Sequence, residues 1–234
     1  MAFGVPSLVL AKTFLLAQLT VCPPAMEAPH ADVYFLPSKP EYITQAPIKS
    51  LTDEMRNNPD STFATDSKWF VEGITTSGID SAKFNFDFTH LQDESGNTCL
   101  YPHKVYFSIV YEPTIFLAQE LQTKGRECRL KMVRLHEERH VATDLTTITE
   151  YMPKIKMDLL WYLRSLGPIG PFPASQLPAE AQKAEKGIVA AIEPMVKKLV
   201  AARRARQGSI DTIENYRQEA MLCPDEPSPI PESK

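Results

Sequence analysis

The chain has 234 residues, of which 43% are hydrophobic and 23% charged, and its formal net charge is −4. This length allows one sizeable domain with additional helices, and the composition is that of a globular protein rather than a disordered or fibrous one. The slight negative charge excludes a general attraction to nucleic acid or to an anionic membrane surface.

Residues 1–31 have the layout of a secretory signal peptide. Lys12 and the terminal amine give a weakly basic start, an apolar run from Thr13 to Val21 follows, and small residues and prolines come next. The run is too short to cross a bilayer, and no later segment is apolar enough to do so. We therefore predict an exported protein, periplasmic or extracellular, without a transmembrane segment. The alternative for this stretch is a buried N-terminal helix.

The cysteines predict a disulfide. Removal of residues 1–31 leaves Cys99, Cys128 and Cys223, and in an oxidising compartment two of these three are expected to pair. Cys99 and Cys128 bracket a predicted strand and the start of a predicted helix, so we predict a bridge between them. The alternative pair is Cys128 with Cys223.

Residues from about 33 to 118 carry the signals of β-strands. Three segments rich in aromatic and β-branched residues are predicted strands: 69–71, 84–88 and 105–110. In the second of these, Phe84, Phe86 and Phe88 alternate with polar residues, which puts three rings on one face. Turns are predicted at 77–78 and 94–97, and a short helix is predicted to open at Ser50.

From Glu127 onward the apolar residues recur at three- and four-residue intervals, which predicts helices. Neither glycine nor proline interrupts the pattern before Pro153, so the first helix has five to six turns and ends or kinks at that proline. Further helices are predicted over 155–166, 178–206 and 209–221. The basic run near the end of the 178–206 helix is expected to form a solvated face.

The order of these elements predicts an α+β fold, with an N-terminal antiparallel sheet followed by helices. We assign residues 32–222 to a single domain. Residues 223–234 are rich in proline and acidic residues and are predicted to form a disordered tail.

The first predicted helix contains the sequence Leu-His-Glu-Glu-Arg-His-Val at 135–141, which includes an HExxH motif. On a helix, residues i and i+4 share one face, so His136 and His140 can bind one ion between their imidazoles. Glu137 is rotated by about 100° from His136 and can reach a water molecule beside the ion without binding it. This arrangement predicts a zincin-like helix, with Zn²⁺ bound by the two histidines and Glu137 as the general base.

A third protein ligand is needed, and the sequence leaves its identity open. Asp144 lies on the same helix face, one turn beyond His140, and is predicted to accept a hydrogen bond from the His140 ring rather than to bind the ion. The candidates for the third ligand are Glu150, Glu180, Glu185 and His103. The candidates for a donor to an oxyanion are Tyr151, Tyr162 and His103.

The motif and its surroundings resemble a family of secreted bacterial HExxH proteins that are regarded as zinc-dependent peptidases. The resemblance covers about residues 33–166 and lies in five segments: Tyr42–Thr44, Phe84–Phe88, Cys99–Ile109, Thr114–Leu117 and Leu135–Val141. The chain departs from the family at Arg139, where the family commonly has a small residue. The resemblance implies zinc binding by His136 and His140 and a general base at Glu137, and it implies no particular substrate.

The sequence thus favours an exported zinc-dependent hydrolase, a metallopeptidase that acts on a peptide or protein substrate. The alternative is a non-catalytic exported or envelope-associated binding module, in which the motif is degenerate or holds a structural metal ion. Oligomeric state and cleavage preference have no signal in the sequence.

Overall fold

The strands and helices follow the predicted order, and the computed structural model describes residues 20–57, 70–77 and 82–226. The strands are β1 (His30–Pro37), β2 (Glu41–Ala46), β3 (Gly73–Thr76), β4 (Ala82–Gln92), β5 (Asn97–Tyr111), β6 (Thr114–Ala118) and β7 (Ile169–Pro173). The helices are α1 (Ile48–Asn57), α2 (Glu127–Leu166), α3 (Leu177–Gly208) and α4 (Ile213–Met221), with short 3-10 turns at Gln119–Gln122 and Ala174–Gln176. The predicted α+β class is confirmed.

The chain divides into two compact units. The single domain over 32–222 stays a prediction. The first unit consists of Met1–Leu36, Ala82–Ile109 and Thr149–Leu199. The second unit consists of Pro37–Ser81, Val110–Ile148 and Val200–Lys234. Each unit is assembled from three separate stretches, so α2 and α3 contribute residues to both. Such interleaving leaves no boundary in the sequence that composition could reveal.

The first unit is built on a four-stranded sheet in which β5 pairs with β1, β4 and β7. β4 runs antiparallel to β5, with Phe84 opposite Phe107. Phe84, Phe86 and Phe88 stack with ring centroids 5.7 and 6.2 Å apart. The predicted row of three rings on one face is therefore confirmed, and Phe107, with no exposed surface, packs against the first of them.

The helix α2 continues through Pro153, so the predicted helix end there is wrong. Ile148, Ile155, Leu159 and Leu163 are all buried, with at most 1% of their surface exposed, on both sides of the proline. An interior proline costs about 3 kcal/mol, whereas full burial of each of these side chains contributes about 1.5–3 kcal/mol. The continuous apolar face therefore outweighs the local preference of Pro153.

The second unit contains a three-stranded sheet in the order β2-β6-β3. β3 is antiparallel to β6, but β2 is parallel to it, with Tyr42 opposite Ile115. The prediction of an entirely antiparallel sheet is thus wrong for this pair. A parallel pair requires a long connection between its strands, and α1, β3, β4 and β5 all lie between β2 and β6 in the sequence. Of the other predictions in this region, Trp69 and Gly78 lie outside the described residues.

The N-terminus of α2 is held by the carboxylate of Glu226. This side chain accepts hydrogen bonds from the backbone N–H groups of Cys128 and Arg129, at 2.9 and 2.8 Å. A carboxylate at this position satisfies two unpaired donors and interacts favourably with the helix dipole. Residues 223–226, which the sequence assigned to a disordered tail, therefore belong to the fold, and residues 227–234 lie outside the described part.

Two disulfides are present, one in each unit. Cys22 is bonded to Cys99 in the first unit, and Cys128 to Cys223 in the second. The predicted bridge between Cys99 and Cys128 is wrong, and its alternative is found. The prediction was wrong because the predicted leader included Cys22, which left three cysteines to consider, and because spacing in the sequence does not specify connectivity.

The same bond corrects the predicted leader boundary. Removal of residues 1–31 would remove Cys22, the start of β1 at His30, and the carbonyl of Pro23, which accepts a hydrogen bond from the Tyr101 hydroxyl at 3.0 Å. The described structure thus includes residues 20–31, which the predicted leader would remove. The apolar run that suggested a signal peptide falls largely within residues 1–19, which are outside the described part. Among the helices of the described residues, none is long and apolar enough to span a bilayer.

The packing of Phe107 predicts a large stability effect. We expect Phe107→Ala to lower the free energy of unfolding by about 3–5 kcal/mol, because it removes a fully buried ring and leaves a cavity. Urea denaturation followed by circular dichroism measures the change. Trp161→Ala is the control, because 73% of that side chain is exposed and its removal should change stability by less than about 0.5 kcal/mol. Equal effects of the two substitutions would contradict this assignment of the core.

Candidate metal centre

Helix α2 brings His136 and His140 together, as their spacing predicts. Their ring centroids lie 4.9 Å apart and their Nε2 atoms 3.1 Å apart. Both residues are buried, with 3% and 8% of their surface exposed. The two rings therefore point their Nε2 atoms at a common position in the interior of the second unit.

A third donor, Asp211, completes this arrangement from a different part of the chain. Its Oδ1 atom lies 3.1 Å from the Nε2 atom of each histidine, so the three atoms form a triangle with nearly equal sides. Asp211 lies in the turn between α3 and α4, and the next residue, Thr212, caps α4 by accepting a hydrogen bond from the Asn215 N–H. The cap ends the turn and fixes where the carboxylate enters the site.

The other ring nitrogen of each histidine is engaged by an acceptor, which sets the tautomer. Nδ1 of His136 lies 3.1 Å from both carboxylate oxygens of Glu219, which is also bonded by Arg139. Nδ1 of His140 donates to the side-chain oxygen of Gln207. The amide nitrogen of Gln207 donates to the His140 carbonyl at 3.0 Å, which fixes the orientation of the amide. In the neutral form of the ring, this arrangement leaves a lone pair at Nε2 of each imidazole.

Three acceptor atoms consequently face one another at the centre of the site. Two imidazole lone pairs and a carboxylate oxygen repel each other unless a proton or a cation lies between them. Ligands of a tetrahedral zinc ion, at bond lengths of about 2.0–2.2 Å, lie about 3.3 Å from one another, close to the 3.1 Å found here. The residues present therefore fit a divalent cation with two imidazole ligands and one carboxylate ligand.

The surroundings of the triangle keep Asp211 in its charged form. Burial by itself would raise the pKa of the Asp211 carboxyl, but the adjacent His136 and His140 rings and the Tyr216 hydroxyl outweigh it and hold the pKa well below the usual range. Burial also disfavours the charged form of His140, yet the contact with Asp211 raises the pKa of the ring overall. Both shifts have the direction expected for a carboxylate and an imidazole that lie in contact, where each favours the charged form of the other.

Glu137 lies beside the triangle and is held by the edge strand β3. Its carboxylate accepts a hydrogen bond from the Thr75 hydroxyl at 2.8 Å, and only 5% of the residue is exposed. Burial raises the pKa of the Glu137 carboxyl, although the two histidines and Thr75 act in the opposite direction. A Cβ atom at Gly73 would lie 2.6 Å from the Glu137 Oε1 atom, so the strand can approach the carboxylate only because residue 73 is glycine.

Tyr216 on α4 contacts two members of the triangle. Its hydroxyl donates to the Asp211 Oδ1 atom at 2.7 Å, and its ring stacks on His136 with centroids 4.9 Å apart. Burial, with the nearby Asp211 charge, raises the pKa of the phenol far above its usual value, so the hydroxyl stays protonated and remains a donor. Tyr216 thereby orients one ligand through a hydrogen bond and another through packing.

Asp144 occupies a different place from the one predicted. The acceptor for the His140 ring is Gln207, whose amide nitrogen donates to the Asp144 Oδ1 atom at 2.6 Å. Asp144 is buried and paired with Arg203, and it also accepts hydrogen bonds from Ser77 and Tyr111. Asp144 therefore supports the histidine through Gln207 rather than directly. Arg203 belongs to the basic run that was expected to be solvated, and that expectation is wrong for this residue.

The candidates for the third ligand do not contribute to the triangle, which consists of His136, His140 and Asp211. Glu150, Glu180, Glu185 and His103 belong to the first unit, as do Tyr151 and Tyr162, the tyrosines considered as oxyanion donors. The sequence predicted one helix over 209–221, which placed Asp211 in the first turn of that helix. Asp211 was therefore not among the candidate ligands. The available signal was the short stretch Ser209–Thr212 after Gly208. Glycine is typical of a helix end, so the Asp211 carboxylate could have been placed in a turn between two helices.

No family model, curated protein or solved structure matches this chain.

The contacts of Tyr216 predict an effect on metal affinity. We expect Tyr216→Phe to weaken Zn²⁺ binding by about tenfold, because it removes the hydrogen bond to Asp211 but keeps the ring that stacks on His136. Competition with a chromophoric chelator measures the dissociation constant. Tyr34→Phe, at a residue that is 46% exposed, is the control and should leave the affinity unchanged. An unaltered dissociation constant in Tyr216→Phe would show that the hydrogen bond does not support the site.

Proposed function

We propose that this protein is a zinc-dependent hydrolase of the HExxH type, and most simply a peptidase. One observation carries the proposal: His136 Nε2, His140 Nε2 and Asp211 Oδ1 converge at 3.1 Å, while the Nδ1 atom of each ring is bound to an acceptor outside the triangle. Two imidazoles and one carboxylate form a donor set used by catalytic zinc sites, which keep a further coordination position open.

Zinc bound there would act as a Lewis acid on a substrate carbonyl and lower the pKa of a water molecule at its open position to about 7. The protein's own contribution to the reaction is the Glu137 carboxylate. As a general base it takes a proton from the attacking water, and as a general acid it returns that proton to the leaving nitrogen. The Thr75 hydroxyl and the close approach of Gly73 hold this carboxylate in one position.

A peptide or protein substrate agrees with this chemistry, because protonation of a poor leaving nitrogen is the step for which a carboxylate beside the attacking water is needed. The resemblance to secreted bacterial HExxH proteins supports the roles of His136, His140 and Glu137 but adds nothing on the substrate. Export is part of the proposal, since two disulfides are typical of proteins that fold in an oxidising compartment.

A second function is favoured by the burial of the site. His136, Glu137 and His140 are 3%, 5% and 8% exposed, which is also typical of a structural metal ion that ties two segments together. In that case the protein is a binding module, and the ion joins α2 to the turn that carries Asp211. The two functions differ in whether Glu137 is needed for turnover.

Substitution of Glu137 distinguishes these functions. We expect Glu137→Gln to bind one equivalent of zinc but to hydrolyse a peptide library about 10²–10⁴ times more slowly than the wild type, because the amide cannot accept the proton. Metal analysis and mass spectrometry of the products measure the two properties. Glu138→Gln is the matched control, since the Glu138 carboxylate bonds to Tyr42 and Arg134 rather than to the site. Zinc binding without hydrolysis that depends on Glu137 would favour the structural role.

The close approach at residue 73 provides an independent test. We expect Gly73→Ala to leave the zinc content unchanged and to lower the hydrolysis rate at least tenfold, because the added methyl group displaces the Glu137 carboxylate. Metal analysis and rate measurements on the same sample separate the two effects. Full activity of Gly73→Ala would show that the position of Glu137 in this structure is not the catalytic one.

A further inference from the structure

One short stretch supplies three of the contacts that build the candidate metal centre. We call the residues from Asp211 to Glu226 the ligand segment. Asp211 provides the carboxylate of the triangle, Tyr216 orients that carboxylate and packs on His136, and Glu219 binds the outer nitrogen of the same ring. The two histidines, in contrast, are fixed on the long helix α2. The centre is therefore complete only when the ligand segment is held against α2.

Apolar packing contributes little to holding this segment. Apart from Tyr216, whose ring packs on His136, its large apolar side chains are exposed: Ile213 by 51%, Met221 by 69% and Leu222 by 62%. Burial of apolar surface is the main force that fixes most helices in a protein, and α4 has little such surface buried. The segment depends on polar contacts, such as that between Arg139 and Glu219, and on a covalent bond.

The covalent bond is the Cys128–Cys223 disulfide, which lies four residues beyond Glu219 on the segment. Cys128 is on the same helix as the histidines, about two turns before His136. The Glu226 carboxylate adds hydrogen bonds from the first turn of α2. One helix thus carries two metal ligands and also the anchor that brings the third ligand to them.

We propose that the Cys128–Cys223 disulfide controls metal occupancy, so that the centre binds zinc tightly only after this bond has formed. The inference rests on the proposed function, because it takes the triangle to be a zinc site. Without the bond, the ligand segment gains freedom to leave α2, and zinc has to offset the cost of ordering it. The coupling is reciprocal at equilibrium: zinc shifts the thiol–disulfide equilibrium of this pair toward the disulfide by the same factor. Because bound zinc holds the ligand segment against α2, it should also slow reduction of this disulfide. The protein then acquires activity upon oxidation, after it has left a reducing compartment.

The chain contains a matched control for this proposal. The Cys22–Cys99 disulfide belongs to the first unit, whereas the triangle belongs to the second. Each bond joins one half-buried cysteine, Cys22 or Cys128, to one buried cysteine, Cys99 or Cys223. The two bonds are thus similar in exposure and differ in whether they anchor the ligand segment.

The first experiment measures zinc affinity in the full chain by chelator competition. Serine replaces both cysteines of a pair, so that no free thiol is left from that pair to bind zinc. We expect the double variant Cys128→Ser, Cys223→Ser to bind at least tenfold more weakly than the wild type, and Cys22→Ser, Cys99→Ser to bind within twofold of it. Equal affinity in both variants, or equal losses in both, would overturn the proposal and leave the zinc site intact. No zinc binding by the wild type would instead overturn the proposed function itself.

The second experiment needs no variant and so does not depend on the folding of one. A water-soluble phosphine reduces each disulfide: the sulfur–sulfur bond breaks, two electrons and two protons pass to the two thiols, and water supplies the oxygen of the phosphine oxide. Alkylation of the thiols followed by mass spectrometry gives the rate for each pair. We expect zinc to slow reduction of Cys128–Cys223 at least tenfold and to leave Cys22–Cys99 unaffected. The same rate for Cys128–Cys223 with and without zinc would overturn the proposal.

Discussion

The site depends on an electrostatically unfavourable contact: two imidazole lone pairs and a carboxylate oxygen lie within 3.1 Å of one another. Side chains in a protein interior seldom place three acceptors together, because desolvated acceptors that lack a donor cost free energy. Here the surrounding residues maintain the arrangement, since Glu219 and Gln207 accept hydrogen bonds from the Nδ1–H groups on the far side of the two rings. The geometry is therefore prepared for a cation, and this preparation supports a metal-dependent function.

Two sets of residues support the triangle, one through Gln207 and the other from the ligand segment. On one side, Gln207 connects His140 to the buried pair of Asp144 and Arg203, which is itself bonded to Ser77 and Tyr111. On the other side, the ligand segment brings its contacts from α4. The first set centres on the buried residues His140, Asp144 and Tyr111, whereas the second set lies on a helix with exposed apolar side chains. The ligand segment is therefore held by less buried packing than the residues around Asp144. The Cys128–Cys223 disulfide lies on this ligand segment.

Several properties followed from local patterns in the sequence. The spacing of His136 and His140 was sufficient to place them on one face of α2, because helical geometry fixes i and i+4 as neighbours. The alternating phenylalanines of β4 correctly predicted three rings on one face of the strand, because side chains two residues apart lie on the same face. These are short-range consequences of backbone geometry, and the α+β order of strands and helices followed from them.

Other properties required the tertiary structure, since they depend on residues far apart in the chain. Asp211 is 71 residues beyond His140, and no local pattern marks it as a partner of that histidine. The disulfide pairing, the parallel β2–β6 contact and the passage of α2 through Pro153 were likewise decided by packing between distant segments. The sequence by itself determined which residues could bind a metal ion on one helix. The tertiary structure decided that Asp211 lies beside these histidines and how its segment is anchored, because long-range contacts are selected by the free energy of the whole fold rather than by spacing.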